Sequence, residues 1–207
     1  MEEKTMYQDL IDSIFAALSA RDAYTANHSI RVGDLTQLLC FWLKVEPSDA
    51  ESYHMAAHVH DIGKIGISDA ILNKPGRLLP QEWAEIKKHP QIGADILGKS
   101  QNLKEISDIV LHHHERWDGL GYPNGLKGSS IPFGARIIAV CDSIDAMKSR
   151  RAYRAPLDDE VCRLEIQKNI GKMYDPLIAD CALKHWDEIM CRYHINTLSG
   201  RSIRRLK

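Results

Sequence analysis

The sequence lacks any apolar run approaching the roughly 20 residues that a membrane-spanning helix needs. The N-terminal segment, MEEKTMYQDL, begins with acidic residues and has no apolar stretch typical of a signal peptide. The formal net charge is only −1, which gives no general attraction for polyanions. These absences predict a cytoplasmic protein that binds neither a membrane nor a nucleic-acid polymer, so any phosphate binding must come from a local site.

Cysteine pairs at metal-binding or redox spacing are also missing. The number of cysteines is odd, their spacings are wide, and no C-x-x-C pair occurs. We therefore predict buried, reduced thiols rather than a disulfide framework or a zinc knuckle. The five thiols are Cys40, Cys141, Cys162, Cys181 and Cys191.

No segment alternates apolar and polar residues for long enough to indicate a β-sheet, and neither an internal repeat nor a low-complexity linker is present. Apolar residues recur instead at helical spacing along most of the chain. A length of 207 residues is enough for one domain with a well-developed core. The sequence therefore predicts one predominantly helical domain.

Several helix ends can be predicted from local signals. Asn27 is a candidate N-cap, and Ser48 with Glu51 matches a capping box for the helix that opens near position 47. A helix over 106–115 carries three adjacent histidines. The last long helix is predicted to have Asp175 as its cap and Pro176 as its first residue, and to end near Tyr193. Pro90 suits a first helical position, which would put His89 at a helix N-terminus.

The segment LHHHERWDGLGYPNGLKG, residues 111–128, is the most unusual part of the sequence. Successive side chains on a helix point about 100° apart, so three adjacent imidazoles cannot share one apolar face. The cluster therefore indicates either ligand binding or exposure. A turn rich in glycine follows it, with Pro123 inside.

Ten histidines are present, and a subset of them combines with carboxylates near predicted helix ends. Neutral imidazole and carboxylate suit iron, manganese, cobalt, nickel or zinc. A carboxylate has two oxygens, so Asp61 can bridge two metals, and a pair about 3.5–4 Å apart is the usual clamp for in-line attack on phosphorus. The candidate ligands are His28, His60, Asp61, His89, His113, His114 and Asp142.

The remaining histidines are interpreted as ordinary surface or core residues. His54 and His58 have the i, i+4 spacing of a zinc site, but position 55 is methionine, so no H-E-x-x-H motif is formed. His185 and His194 have no partner motif. His112 stays ambiguous, because three adjacent imidazoles rarely all bind metal.

An ordered series of motifs resembles the HD-GYP family of cyclic di-GMP phosphodiesterases, a branch of the HD metal-dependent phosphohydrolase superfamily. The series is HVHDIGKIGISDAILNKPGRL, KKHPQIGADIL and HHERWDGLGYPNGLKGSSIPFGARIIAVCDSIDAM, with His60-Asp61 and Gly121-Tyr122-Pro123 as the naming groups. RDAYTANHSIRV, SRRAYRAPL and GKMYDPLI are similar to further family motifs. The resemblance covers roughly residues 20–185.

This resemblance implies an all-α, single-domain helical bundle of the HD type with a buried metal centre. The domain is predicted over 21–195, after a connector or dimer-contact helix over 1–20 and before a basic tail over 196–207. Most members carry a further sensory or receiver domain, for which this chain is expected to have no room. The resemblance is therefore compatible with a homodimer or with a separate sensory or receiver partner.

The resemblance also implies roles for the individual residues. His28, His60, Asp61 and Asp142 would hold one metal, and His89, His113 and His114 the second, with Asp61 bridging. Lys64 would act with Asp61 in catalysis, next to the scissile phosphate. The substrate-binding residues would be Tyr122, Pro123, Arg151 and Arg154, although the arginines alone would equally suit a solvated basic patch.

The implied activity is hydrolysis of cyclic di-GMP to linear pGpG, or onward to GMP, by a metal-bridging hydroxide. Iron or manganese is favoured, with nickel, cobalt or zinc as alternatives. Two metals are expected rather than three, because Tyr24 occupies the position at which some members supply a glutamate. The alternatives are a phosphohydrolase for cyclic GMP-AMP or another nucleotide, and a non-catalytic receptor or adaptor for cyclic di-GMP.

Overall fold

The structure is a computed structural model that describes residues 11, 13–16, 23–149 and 155–199. From residue 23 onward the described residues contain ten α-helices, three short 3-10 turns and no β-strand, and residues 11 and 13–16 are also helical, so the all-α prediction is confirmed for the described part of the chain. The helices are α1 (Ala23–Trp42), α2 (Pro47–Val59), α3 (Asp69–Leu72), α4 (Pro80–Ile86), α5 (His89–Leu97), α6 (Lys104–His112), α7 (Phe133–Lys148), α8 (Asp159–Lys168), α9 (Pro176–Lys184) and α10 (Trp186–Ser199).

Five helices build the centre of the bundle. Helix α1 packs along α2 and α7, while α6 packs against α2 and α5. Branched aliphatic side chains fill the space between them and are almost fully buried, as Leu39 and Ile137 illustrate. None of the helices in the described ranges is both long and apolar enough to span a membrane. Burial of these apolar faces is the main force that holds the helix ends together around the site described below.

Two predicted helix starts are wrong. Helix α1 begins at Ala23, so Asn27 lies inside the helix, where its exposed side chain is tolerated. Helix α2 begins at Pro47, with Glu46 as its N-cap and no capping hydrogen bond from a side chain. Proline at a first helical position fixes the start one residue too early for Ser48 to cap the helix.

The predicted last helix is two helices, because the chain breaks at His185. Asp175 caps α9 as predicted, since its carboxylate accepts a hydrogen bond from the amide of Leu177 at 2.9 Å. The His185 ring, at the C-cap of α9, stacks on Trp42 of α1 with ring centres 4.3 Å apart. Helix α10 continues to Ser199, into the segment predicted as a tail.

All five cysteines are free thiols, as predicted. Cys40, Cys141 and Cys162 are buried, and burial raises the pKa of Cys40 to about 12, so that thiol is inert at neutral pH. The prediction of burial is wrong for Cys191, which is exposed on α10, and Cys181 is only half-buried. A free thiol there requires no structural partner.

Candidate metal centre

His60 and Asp61 lie in the turn that ends α2, just before the 3-10 turn Ile62–Gly66. Both side chains are buried. The Nδ1–H of His60 donates to the carbonyl of Ala57 at 2.7 Å. A carbonyl only accepts, so this bond fixes the proton on Nδ1 and leaves the Nε2 lone pair directed into the bundle.

His89 reaches the same place from the first turn of α5, as its predicted position at a helix N-terminus requires. Its Nδ1–H donates to the carbonyl of Ile86 at 2.8 Å, and its Nε2 lies 3.3 Å from Oδ1 of Asp61. Gly63 makes this approach possible. A Cβ atom on Gly63 would lie 1.8 Å from the His89 carbonyl oxygen and 2.5 Å from the amide nitrogen of Gly93.

Gly63→Ala should therefore destabilise the protein and displace His89 from the cluster. The clash is with backbone, which cannot move without shifting α5, so we expect a loss of about 3 kcal/mol in the free energy of unfolding. Gly66→Ala is the matched control in the same turn, because its added Cβ would meet only the Ile92 side chain, at 3.1 Å. Chemical denaturation of both variants checks this, and equal stabilities would contradict the backbone clash.

The histidine triplet divides at the end of α6. The predicted helix over 106–115 ends earlier, at His112, and His113 and His114 follow in a turn. The Nδ1–H of His113 donates to the carbonyl of Val110 at 2.6 Å, so its Nε2 faces inward, 3.3 Å from Nε2 of His89. His112 points elsewhere: its Nε2 lies 3.2 Å from the side-chain nitrogen of Asn124.

The last two candidate ligands come from α1 and α7. Nε2 of His28 lies 3.2 Å from Oδ1 of Asp142 and 3.3 Å from Nε2 of His60. His28 and Asp142 are 114 residues apart in sequence, so the packing of α1 on α7 brings them together.

All seven candidate ligands converge on one buried centre. Three groups have potential ligand atoms within 4.8 Å of one another: His28, His60 and Asp142; His89, His113 and His114; and His60, Asp61 and His113. The two oxygens of Asp61 face different groups. Oδ1 is 3.3 Å from His89, whereas Oδ2 is 3.5 Å from His60 and 3.9 Å from His28.

The imidazoles of the second group are held neutral, which is the form that coordinates metals. Burial lowers the pKa of His89, and burial with the nearby His114 holds the pKa of His113 well below its ordinary value. Burial and His89 lower the pKa of His114 to about 3. With their Nδ1 protons on carbonyls, His89 and His113 direct two Nε2 lone pairs at each other, and a cation between them relieves that repulsion.

His28 differs because it lies between two carboxylates. Burial by itself lowers its pKa, but hydrogen bonds with Asp142 and Asp145 outweigh burial and raise the pKa to about 9. The same negative surroundings that favour a proton on His28 favour a metal cation in its place. The donor set therefore fits one divalent cation on each side of Asp61.

Asp61 is ionised, with a lysine beside it. Burial by itself raises its pKa, but Lys64 and the surrounding imidazoles hold that pKa well below its ordinary value. The Lys64 ammonium forms an ion pair with Oδ2 of Asp61. The lysine side chain is only partly buried, so it links the buried carboxylate with solvent.

The loop after the histidines closes over one side of the centre. Tyr122 donates its amide to the carbonyl of His114 at 3.2 Å, and its ring lies 4.9 Å from the His114 ring. Gly121 permits this fold-back, because a Cβ there would lie 2.4 Å from the amide nitrogen of Arg116. Arg116 and Asp118 brace the loop through paired hydrogen bonds. Pro123 follows Tyr122 and is exposed.

Three residues named in the sequence predictions fall outside the described part of the structure, and two residues near the centre were not predicted. Arg151 and Arg154 lie outside the described residues, and so does the side chain of Tyr24. Sequence reasoning missed Asp145, whose carboxylate contacts Nδ1 of His28 at 2.7 Å. Its only signal was its place one helical turn after Asp142. Lys87 was also missed, although it stands two residues before His89.

The sequence is similar to known proteins over most of its length. Residues 7–178 match the HD domain family. A cyclic di-GMP phosphodiesterase of Thermotoga maritima is 42% identical over 191 residues, which cover 89% of this chain and 52% of that protein. The 3'3'-cGAMP-specific phosphodiesterase 2 of Vibrio cholerae is 37% identical over 185 residues, which cover 88% of this chain and 35% of that protein.

The chain thus spans between about a third and a half of the length of these two curated relatives. Among solved structures, the HD domain of the L. monocytogenes phosphodiesterase PgpH in complex with cyclic-di-AMP matches with a TM-score of 0.62 at 19% identity. The match covers 93% of this chain and 100% of that chain. A likeness at this level of identity identifies the all-α HD fold.

Proposed function

Because the chain belongs to the HD domain family and to its HD-GYP branch, we propose that it is a metal-dependent phosphodiesterase of cyclic dinucleotides. The proposed substrate is cyclic di-GMP, and the first product is linear pGpG. Relatives named as cyclic di-GMP phosphodiesterases support this choice at 42% and 36% identity. A non-catalytic receptor is less consistent with the site, because every proposed ligand is present.

The observation that carries the proposal is a pair of facing imidazole Nε2 atoms, 3.3 Å apart, on each side of the Asp61 carboxylate. Neutral imidazoles and ionised carboxylates form a donor set for two divalent cations, with iron or manganese proposed first. When bound, such cations supply a nucleophile at neutral pH and neutralise charge on phosphate oxygens. One site would use His28, His60, Asp61 and Asp142, and the other would use His89, His113, His114 and Asp61.

Other side chains would bind the substrate and stabilise charge. Lys64 would donate to a phosphoryl oxygen or to the departing 3′-oxygen, since its ammonium is beside Asp61. The Tyr122 ring would stack on a guanine base, and Pro123 would shape the same loop. Arg151 and Arg154 remain proposed phosphate contacts on the sequence resemblance alone. A dimer or a sensory partner likewise remains a proposal.

The direct test is turnover of cyclic di-GMP by protein purified without oxygen, with metal analysis and identification of products on the same sample. We expect two metals per chain and release of pGpG, and the product analysis also detects any further hydrolysis to GMP. Metal-loaded protein that binds cyclic di-GMP without cleaving it would support the receptor alternative. Absence of bound metal would overturn the proposed centre.

Cyclic GMP-AMP is a second candidate substrate, because the relative from Vibrio cholerae that is named 3'3'-cGAMP-specific is 37% identical. Both cyclic dinucleotides present the same phosphodiester to the metals, so the bases must determine the preference. Equal concentrations of the two substrates in one reaction give the ratio of their kcat/KM values. A ratio that favours cyclic GMP-AMP would replace cyclic di-GMP as the proposed substrate.

Lys87→Ala should weaken substrate binding while leaving the metals in place. The Lys87 ammonium lies 5.2 Å from the centroid of the Tyr122 ring, which borders the candidate metal centre. It lies 5.9 Å from the centroid of the Trp83 ring. Loss of one charged contact with phosphate should raise KM about tenfold with little change in kcat.

Lys88→Ala is the control for this prediction. Lys88 is the next residue in the chain, but its ammonium pairs with Glu85 at 2.6 Å and is not over the Tyr122 ring. Steady-state kinetics of both variants decide the matter. The same KM for Lys87→Ala and Lys88→Ala would exclude a specific contact by Lys87.

A further inference from the structure

A second layer of contacts behind the metal centre converges on Asp145, whose side chain is fully buried. Its Oδ2 accepts from Nδ1 of His28 at 2.7 Å and from the Ser149 hydroxyl at 2.8 Å. Arg31 donates to both of its oxygens, at 2.5 and 3.0 Å. A carboxylate with this many partners is fixed in position and stays ionised, and those partners hold its pKa at about 2 despite burial.

The last partner comes from α10. The Tyr193 hydroxyl donates to Oδ1 of Asp145 at 2.8 Å, and the Arg31 guanidinium lies 5.9 Å from the centre of the Tyr193 ring. Tyr193 is itself buried, at 5% exposure, and it lies beyond residues 7–178, the part of the chain that matches the HD domain family. A helix outside the matched region therefore completes the environment of a candidate metal ligand.

The chemistry of this chain of contacts is specific. Asp145 keeps one proton of His28 on Nδ1, so the nitrogen that remains for a metal is Nε2, which faces Asp142 and His60. Carboxylates that hold a ligating histidine in this way set the ring orientation and raise its basicity. Tyr193 donates to the other oxygen of the same carboxylate, so the hydroxyl helps to hold Asp145, and Asp145 holds His28.

We propose that Tyr193 is a positioning residue for the metal site formed by His28, His60 and Asp142, so that α10 sets the affinity of that site. This inference rests on the proposed metal centre. The group formed by His89, His113 and His114 has no contact with Asp145 or Tyr193 among the described hydrogen bonds, so its affinity should be independent of α10.

The test is a calorimetric titration of a divalent metal, Mn²⁺, into the metal-free protein. Tyr193→Phe removes only the hydroxyl and keeps the ring that packs against the core. We expect affinity to fall about tenfold at one site and to stay unchanged at the other. Tyr53→Phe is the matched control, since Tyr53 is also buried, packs on Phe133, and belongs to none of the ligand groups.

A double-mutant cycle shows whether the hydroxyl acts through Asp145. If it does, Tyr193→Phe weakens metal binding in the natural sequence but adds nothing in an Asp145→Asn background. Unchanged affinity at both sites, an equal loss at both, or a full additional loss in the Asp145→Asn background would overturn the inference. Failure of the proposed metal centre is distinguishable, because the unmodified protein would then bind no pair of Mn²⁺ ions. Failure of the proposed activity is separate, since it would appear as absence of turnover in protein that still binds both ions.

Discussion

Asp61→Ala is expected to remove both metals from the protein and to reduce turnover to the background rate. Asp61 is the one candidate ligand whose two oxygens face different histidine groups: Oδ1 lies 3.3 Å from His89, and Oδ2 lies 3.5 Å from His60. Each proposed site would lose a negatively charged ligand, and the attraction that draws two cations into a buried space would fall at both.

The change should leave the fold intact, because the side chain contributes to the centre and not to the apolar core. It also removes the partner of Lys64, whose ammonium is partly exposed and can turn towards water. Metal analysis after purification without oxygen, together with circular dichroism, measures both expectations. A helical protein with no bound metal is the expected result.

His89→Ala is the matched variant for this prediction. His89 contacts His113 at 3.3 Å and belongs to one group only, so its loss should remove one metal equivalent and leave the other. Loss of a single equivalent from both Asp61→Ala and His89→Ala would show that Asp61 does not bridge. Loss of both from each would mean that the second metal depends on the first.

The convergence of the seven candidate ligands could be predicted from sequence, because imidazoles and carboxylates recur in an ordered series of motifs. The structure places all seven around one buried centre. The sequence also indicated that the three adjacent histidines would not share one role, since three adjacent imidazoles cannot point the same way. Its cause was not: α6 ends at His112, and the turn beyond directs His113 inward.

The supporting residues could not be predicted because their roles depend on distant contacts. Asp145 has the spacing of any polar residue one turn along a helix, and only the packing of α1, α7 and α10 gives it His28 and Tyr193 as partners. In the sequence, Gly63 resembles an ordinary turn glycine. Only the packing of α5 shows that a Cβ atom there would lie 1.8 Å from the His89 carbonyl oxygen.

Helix ends show the same limit. Asp175 caps its own helix through a local bond, and the prediction succeeded. The break at His185 lies where that ring stacks on Trp42 of α1, 143 residues away in sequence, and no local pattern predicts that contact. Features that depend on local chemistry could therefore be predicted from the sequence, whereas geometry that depends on tertiary packing could not.

Lys64→Ala should lower kcat by about a hundredfold to a thousandfold while both metals stay bound. Its ammonium is the cation beside Asp61, and no candidate metal group includes it. A donor aimed at charge that develops on a phosphoryl or leaving oxygen contributes mainly in the transition state, so KM should change little.

The matched control for Lys64 is Lys74→Ala. The two side chains are equally exposed, at 31% and 30%, but Lys74 pairs with Glu82, which belongs to none of the candidate metal groups. A general loss of positive charge would affect both variants alike, whereas a specific role in the reaction affects Lys64 alone. Loss of metal from Lys64→Ala would instead mean that the lysine serves to hold Asp61 in place, and the catalytic role would be withdrawn.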